Sequence, residues 1–105
     1  MNLYVIVWES NDSMYNGFNA IVEVFNDLKS AEIYFEILKS NIIKEYLDYA
    51  RCETIEELVD DEYFYMNETS VLDYDQYLYA KYDDYMHDKL LIYKKPIIKF
   101  NTEDI

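Results

Sequence analysis

The 105 residues amount to one domain, 1–105, half apolar (51%) and 18% aromatic, which argues against intrinsic disorder. Twenty-two Asp and Glu against nine Lys and Arg leave a formal charge of −13 at pH 7. That balance excludes ordinary nucleic-acid binding, which needs cations to displace counterions from phosphates, and disfavours an anionic membrane surface.

Residues 3–8 (LYVIVW) read as a buried strand, β-branched and aromatic and followed directly by polar ESNDS. Asn16-Gly17 marks a turn, and 18–25 (FNAIVEVF) alternates well enough for a second strand, paired antiparallel with the first across the 9–17 loop. Asp27 is the better N-cap of the first helix, with Ser30 the alternative. Ala31, Tyr34, Phe35, Leu38, Ile42, Tyr46 and Tyr49 recur at three- and four-residue steps and give a core-facing stripe to about Ala50. Ile33, Ile37 and Leu47 widen that stripe, so the helix is expected to be covered on more than one side. Thr54-Ile55-Glu56-Glu57 is a capping box opening a second helix with Ile55, Leu58 and Val59 as its apolar face. Beyond it, 63–66 reads equally as more helix or as a strand.

Ser70-Val71-Leu72-Asp73 repeats the capping pattern. After it Val71, Tyr74, Leu78, Tyr82 and Tyr85 fall at helical spacing, with Asp73, Gln76, Ala80, Asp83, Asp84 and His87 opposite. A strand reading of 76–82 (QYLYAKY) leaves no polar face, so the pattern favours a third helix. Residues 90–93 (LLIY) and 97–100 are strand candidates, with Pro96 forcing a break or an edge. The expected fold is α+β: a small antiparallel sheet with about three helices on one face, in the order β-β-α-α-α-β-β.

Cys52 is the only cysteine, so neither an internal disulfide nor a thiolate metal cage forms, and a small hydrophobe near a helix end is its ordinary role. The N-terminal MNLYVIVWES lacks a basic region and a small-residue cleavage site, and no apolar run approaches the ~20 residues of a membrane-spanning helix. Lys, Asn, Ile and Tyr, with A/T-rich codons, are abundant, while Gly, Pro, Arg and Ala are scarce. These features suggest the cytoplasm of a bacterial host cell, and an AT-rich genome such as that of a low-GC bacterium, its phages or a mobile element.

The charge is unevenly spread. Residues 54–88 hold Glu56, Glu57, Asp60, Asp61, Glu62, Glu68, Asp73, Asp75, Asp83, Asp84 and Asp88 against Lys81 alone, together with seven of the thirteen tyrosines. A negative field over two adjoining helices would attract a groove built for phosphates, and tyrosine supplies contact area and a hydroxyl at low entropic cost. The candidate partner-binding residues are therefore Glu56, Glu57, Asp60, Asp61, Glu62, Asp73, Asp75, Tyr77, Asp83, Asp84 and Asp88. The plainer reading is a solvated acidic face over half-buried tyrosines.

Catalysis finds little support. His87 is the only histidine, and no cue pairs it with a nucleophile such as Ser13 or Ser70. On a helix, Asp83 with His87 and Asp84 with Asp88 would sit at i, i+4, but that spacing arises often by chance in an acid-rich stretch. No cofactor, metal or catalytic residue is assigned, and one glycine permits no phosphate loop. In length, AT-rich composition and the acidic block at 54–88, the chain resembles the small, acidic, tyrosine-rich inhibitors of phages and mobile elements, among them DNA-mimic and some anti-CRISPR proteins. The resemblance implies a non-catalytic inhibitor occupying the nucleic-acid channel of a basic host effector or nuclease. An immunity protein or antitoxin for a basic nuclease is the alternative, and an acidic adaptor unrelated to nucleic acids a third. Self-repulsion favours a monomer, while the tyrosine surplus leaves a homodimer open.

Overall fold

Strand β1 (Asn2–Asp12) and strand β2 (Gly17–Phe25) form the expected antiparallel pair, with Tyr4 opposite Phe25 and Asp12 opposite Gly17. They belong to a computed structural model that describes residues 2–12, 17–71 and 74–96. Helix α1 (Leu28–Ala50) begins where the Asp27 carboxylate accepts the backbone N–H groups of Lys29 and Ser30, at 3.1 and 3.2 Å, and the Ser30 hydroxyl. It ends at Arg51, whose left-handed backbone (φ 58°) lets Cys52 N–H reach the Leu47 carbonyl. Helix α2 (Ile55–Asp60) starts on its capping box: Glu57 N–H donates to Thr54 Oγ1, and the Glu57 carboxylate accepts from Glu53 N–H.

The rest of the chain is sheet. Strands β3 (Phe64–Val71), β4 (Tyr74–Tyr82) and β5 (Met86–Pro96) complete a five-stranded antiparallel sheet in the order β2-β1-β5-β4-β3. The element order is β-β-α-α-β-β-β, which corrects the expectation of three helices: residues 74–96 form a hairpin, and of 63–66 Tyr63 lies in a turn and the rest is strand. Ser70 and Val71 lie in β3 and cap no helix, while 72–73 and the strand candidate 97–100 lie outside the described residues. The physical reason is alternation. Leu78 and Ala80 turn to one side of β4 and are buried, while Tyr77, Tyr79 and Lys81 turn to the other and are half-buried. Tyrosine suits a pleated, half-buried surface, so the missing polar face was no obstacle to a strand.

The core lies between α1 and one face of the sheet. Ala31, Phe35, Leu38, Ile42 and Tyr46 of α1 pack on Ile6, Leu78, Ala80, Met86, Leu90 and Ile92, with Leu58 of α2 closing one end. Tyr46 meets Phe64, and Tyr49 meets Tyr82, in edge-on ring contacts. Lys39 pairs with Glu68 on β3 at 2.6 Å. Among the described residues α1 is covered on one side only, since Ile33 and Ile37 are more than half exposed. The other face of the sheet carries the opposite register set. One cross-strand row of it runs Val22–Val7–Leu91–Tyr77, and a second runs Val24–Val5–Tyr93.

Candidate partner-binding site

Carboxylates gather at the end of the molecule where α1 stops. Glu56 and Glu57 occupy the first turn of α2, where the positive end of the helix dipole favours them. Asp61 stops α2 and organises the approach to β3. One carboxylate oxygen accepts from Tyr63 N–H at 2.9 Å, and the other accepts from the Tyr82 hydroxyl at 2.8 Å. Asp83 N–H donates to the Tyr63 carbonyl at 2.7 Å, which ties the β4–β5 turn to the end of α2. Asp83 holds a left-handed backbone (φ 49°), a conformation aspartate tolerates better than most residues. Segments 48–63 and 82–86 therefore meet, and they bring together Asp48, Glu53, Glu56, Glu57, Asp60, Asp61, Glu62, Asp83 and Asp84, with Arg51 their only cation.

The field of this acidic pole is felt by its neighbours. The charge of Glu62, with its hydrogen bond, raises the Tyr63 phenol above the ordinary tyrosine range, and Asp83 and Asp61 add to it. Burial, then the Asp61 hydrogen bond and charge, push Tyr82 up to about 12. Burial raises the Cys52 thiol, and Asp61 and Glu57 add to the effect, so the thiolate needed for nucleophilic or redox chemistry is disfavoured. An anion is costly here; a cation is welcome.

Of the residues singled out in the sequence, Glu56, Glu57, Asp60, Asp61, Glu62, Asp83 and Asp84 come together at this pole. The others do not join it. Asp88 is 2% exposed and turned into the core, where it accepts from Trp8 Nε1 and from the Tyr46 hydroxyl, each at 2.8 Å. Tyr77 lies on the face of the sheet turned away from α1. Asp73 lies outside the described residues, and Asp75 is placed only as a β4 residue. The acids thus form a compact pole, and the extended field expected along two helices is replaced by it. The helical pairing of Asp83 with His87 also disappears: His87 sits on β5 with Nδ1 3.2 Å from the Tyr79 hydroxyl. There it lines a shallow depression of 340 Å³ with Glu9, Ser10, Asn11, Tyr79 and Lys89.

The pole also presents apolar surface that charge counting missed. Ile55, Val59, Tyr63 and Tyr85 are each about half exposed among the carboxylates. The sequence did hold a signal for the first two. A six-residue helix has room to bury only one of Ile55, Leu58 and Val59 against α1, and Leu58 takes that place.

Among the described residues, no three His, Cys, Asp or Glu side chains come together in a way that would hold a metal ion, and no helix is long and apolar enough to cross a membrane. No protein-family model, curated protein or solved structure matches the chain.

Proposed function

We propose that this chain is a non-catalytic acidic binding protein of a bacterial cytoplasm. Its partner is a basic nucleic-acid-binding protein, an effector or nuclease of the host, which it inhibits by holding the surface that otherwise takes phosphates. The observation that carries the reading is the acidic pole: nine carboxylates against one arginine on two segments the fold brings together. Such a concentration speeds encounter with a cationic groove and rejects nucleic acid itself. Ile55, Val59, Tyr63 and Tyr85 give the pole anchors of the kind that dominate protein interfaces. Those anchors, and the compactness of the pole, also favour the second reading, an immunity protein or antitoxin fitted to one basic nuclease.

The test is capture from bacterial lysate by the tagged chain, with three forms compared. Glu56→Lys, Asp60→Lys and Asp84→Lys together reverse exposed charges that neither cap a helix nor hold Tyr82. Glu23→Lys, Glu32→Lys and Glu36→Lys make the same change in net charge elsewhere on the exposed surface. Wild type and the second triple should capture the same basic protein, and the first triple should bind it at least about tenfold more weakly. DNA or RNA should displace the chain from the captured protein. Equal loss in both triples would reduce the pole to net charge, and a ternary complex with nucleic acid would sink occlusion.

A further inference from the structure

An antiparallel sheet with one face on a core usually alternates apolar-in and polar-out. Here the outer face breaks that pattern. The row Val22–Val7–Leu91–Tyr77 crosses four strands without a charged side chain before reaching Thr69 on β3, and Val24–Val5–Tyr93 lies beside it. Val22 and Val24 are 59% and 54% exposed, and no described helix packs on this side. Soluble monomers seldom expose a contiguous apolar patch beyond about 300–600 Å².

Charge decides what covers it. Two chains of −13 can approach only where carboxylate does not meet carboxylate. Among the described side chains of this face Glu9 is the carboxylate, and it lies opposite Lys89 in the β1–β5 register. Lys81 sits over the Tyr65 ring and Lys95 over the Tyr93 ring, contacts that hold both side chains against their own sheet while leaving their charge in place. Size agrees. Five strands at about 4.8 Å spacing, nine residues long at about 3.4 Å each, give a face on the order of 700 Å² before side-chain relief is counted. A stable interface uses about 800 Å² per partner.

We propose that this face is the interface of a twofold homodimer: two sheets packed face to face about 10 Å apart, with the helices outermost on both sides. The valine and leucine rows supply the self-complementary centre, and the Glu9–Lys89 row lies directly beside them. Both acidic poles stay exposed, so the dimer is compatible with the partner-binding reading but does not rest on it.

Sedimentation equilibrium of the full chain at micromolar concentration tests the proposal, and the mass should be twice the 12.8 kDa of one chain. Val7→Lys puts a charge at the centre of the face and should give the single-chain mass. Because Val7 is half-buried, a milder pair, Val22→Thr with Val24→Thr, provides a second reading at exposed positions. It should keep the wild-type circular dichroism and weaken dimerisation roughly tenfold. Ile33→Lys with Ile37→Lys, on the exposed side of α1, should leave the dimer intact. A wild-type chain that stays at 12.8 kDa overturns the proposal, as does a dimer that the α1 pair breaks and the valine pair does not.

Discussion

Asp88 shows how much one side chain is asked to hold. Its carboxylate is buried between α1 and the sheet and accepts from Trp8 Nε1 and the Tyr46 hydroxyl, while that hydroxyl also lies 3.2 Å from the Ala80 carbonyl. Removing the acceptor strands the indole N–H, whereas the Tyr46 hydroxyl can turn to Ala80. Asp88→Ala should therefore cost about 2–3 kcal/mol in a urea unfolding curve, part of it the cavity. Asp88→Asn keeps an acceptor for Trp8, its amide can donate to Tyr46, and it should lose less than half as much. Equal losses would mean that the charge, and not the hydrogen bonding, stabilises the site. Burial, reinforced by the Asp88 charge and hydrogen bond, pushes the Tyr46 phenol well above the ordinary tyrosine range. The folded chain keeps that proton while the unfolded chain loses it near pH 10, so the contribution is complete below pH 10 and shrinks as pH rises further. Tyr82, pushed up to about 12, acts in the same direction. The urea midpoint should hold steady from pH 7 to 8, begin to slip as Cys52 of the unfolded chain ionises near pH 9, and fall further above pH 10, less steeply there in Tyr46→Phe; an unchanged slope above pH 10 in that variant would assign the alkaline loss to other groups.

The elements divide by how much their residue types discriminate between periods. The first half of the chain was legible because its signals were exclusive. Ala31, Phe35, Leu38, Ile42 and Tyr46 repeat only at helical spacing, and Asp27 and Thr54 cap where cap residues were expected. Residues 74–88 were not, because Tyr74, Tyr82 and Tyr85 fall with Leu78 on a helical stripe while Tyr77 and Tyr79 alternate with Leu78 and Ala80 as on a strand. Leu78 and Ala80 were the discriminating pair: two small or apolar residues two apart belong together only on a strand, yet the helical reading set them on opposite faces. The same misreading placed Asp88 on an outer surface, since moving from a helix to a strand reassigns every side chain to a face. Asp83 and Asp84 reach the acidic pole through a hairpin turn, where a helix had been expected to carry them, because the hydrogen bond from Asp83 to Tyr63 brings that turn beside α2. Ile33 and Ile37 were read as core from pattern alone; one sheet face is enough to cover only one stripe of α1.

For the whole molecule, the concentration of charge couples folding, self-association and partner binding through one variable, ionic strength. Gathering nine carboxylates around one arginine stores repulsion that the unfolded chain relieves by expanding. Salt screens that repulsion over a length that falls from about 30 Å at 0.01 M to about 8 Å at physiological strength. Added sodium chloride should therefore raise the melting temperature. It should also tighten the proposed dimer, whose two chains both carry −13. Binding to a basic partner should weaken over the same range, because the screened attraction is what steers encounter. These opposite signs separate the acidic pole from general salting effects, which would strengthen all three. The variant with Glu56→Lys, Asp60→Lys and Asp84→Lys provides the decisive comparison, since it removes repulsion at the pole while Glu23→Lys, Glu32→Lys and Glu36→Lys remove equal net charge elsewhere. Melting followed by Trp8 fluorescence should show a flatter salt dependence for the first triple than for the second. Matching slopes would mean that the carboxylates at the pole repel no more than the rest of the surface, and the electrostatic case for a basic partner would then lose its foundation.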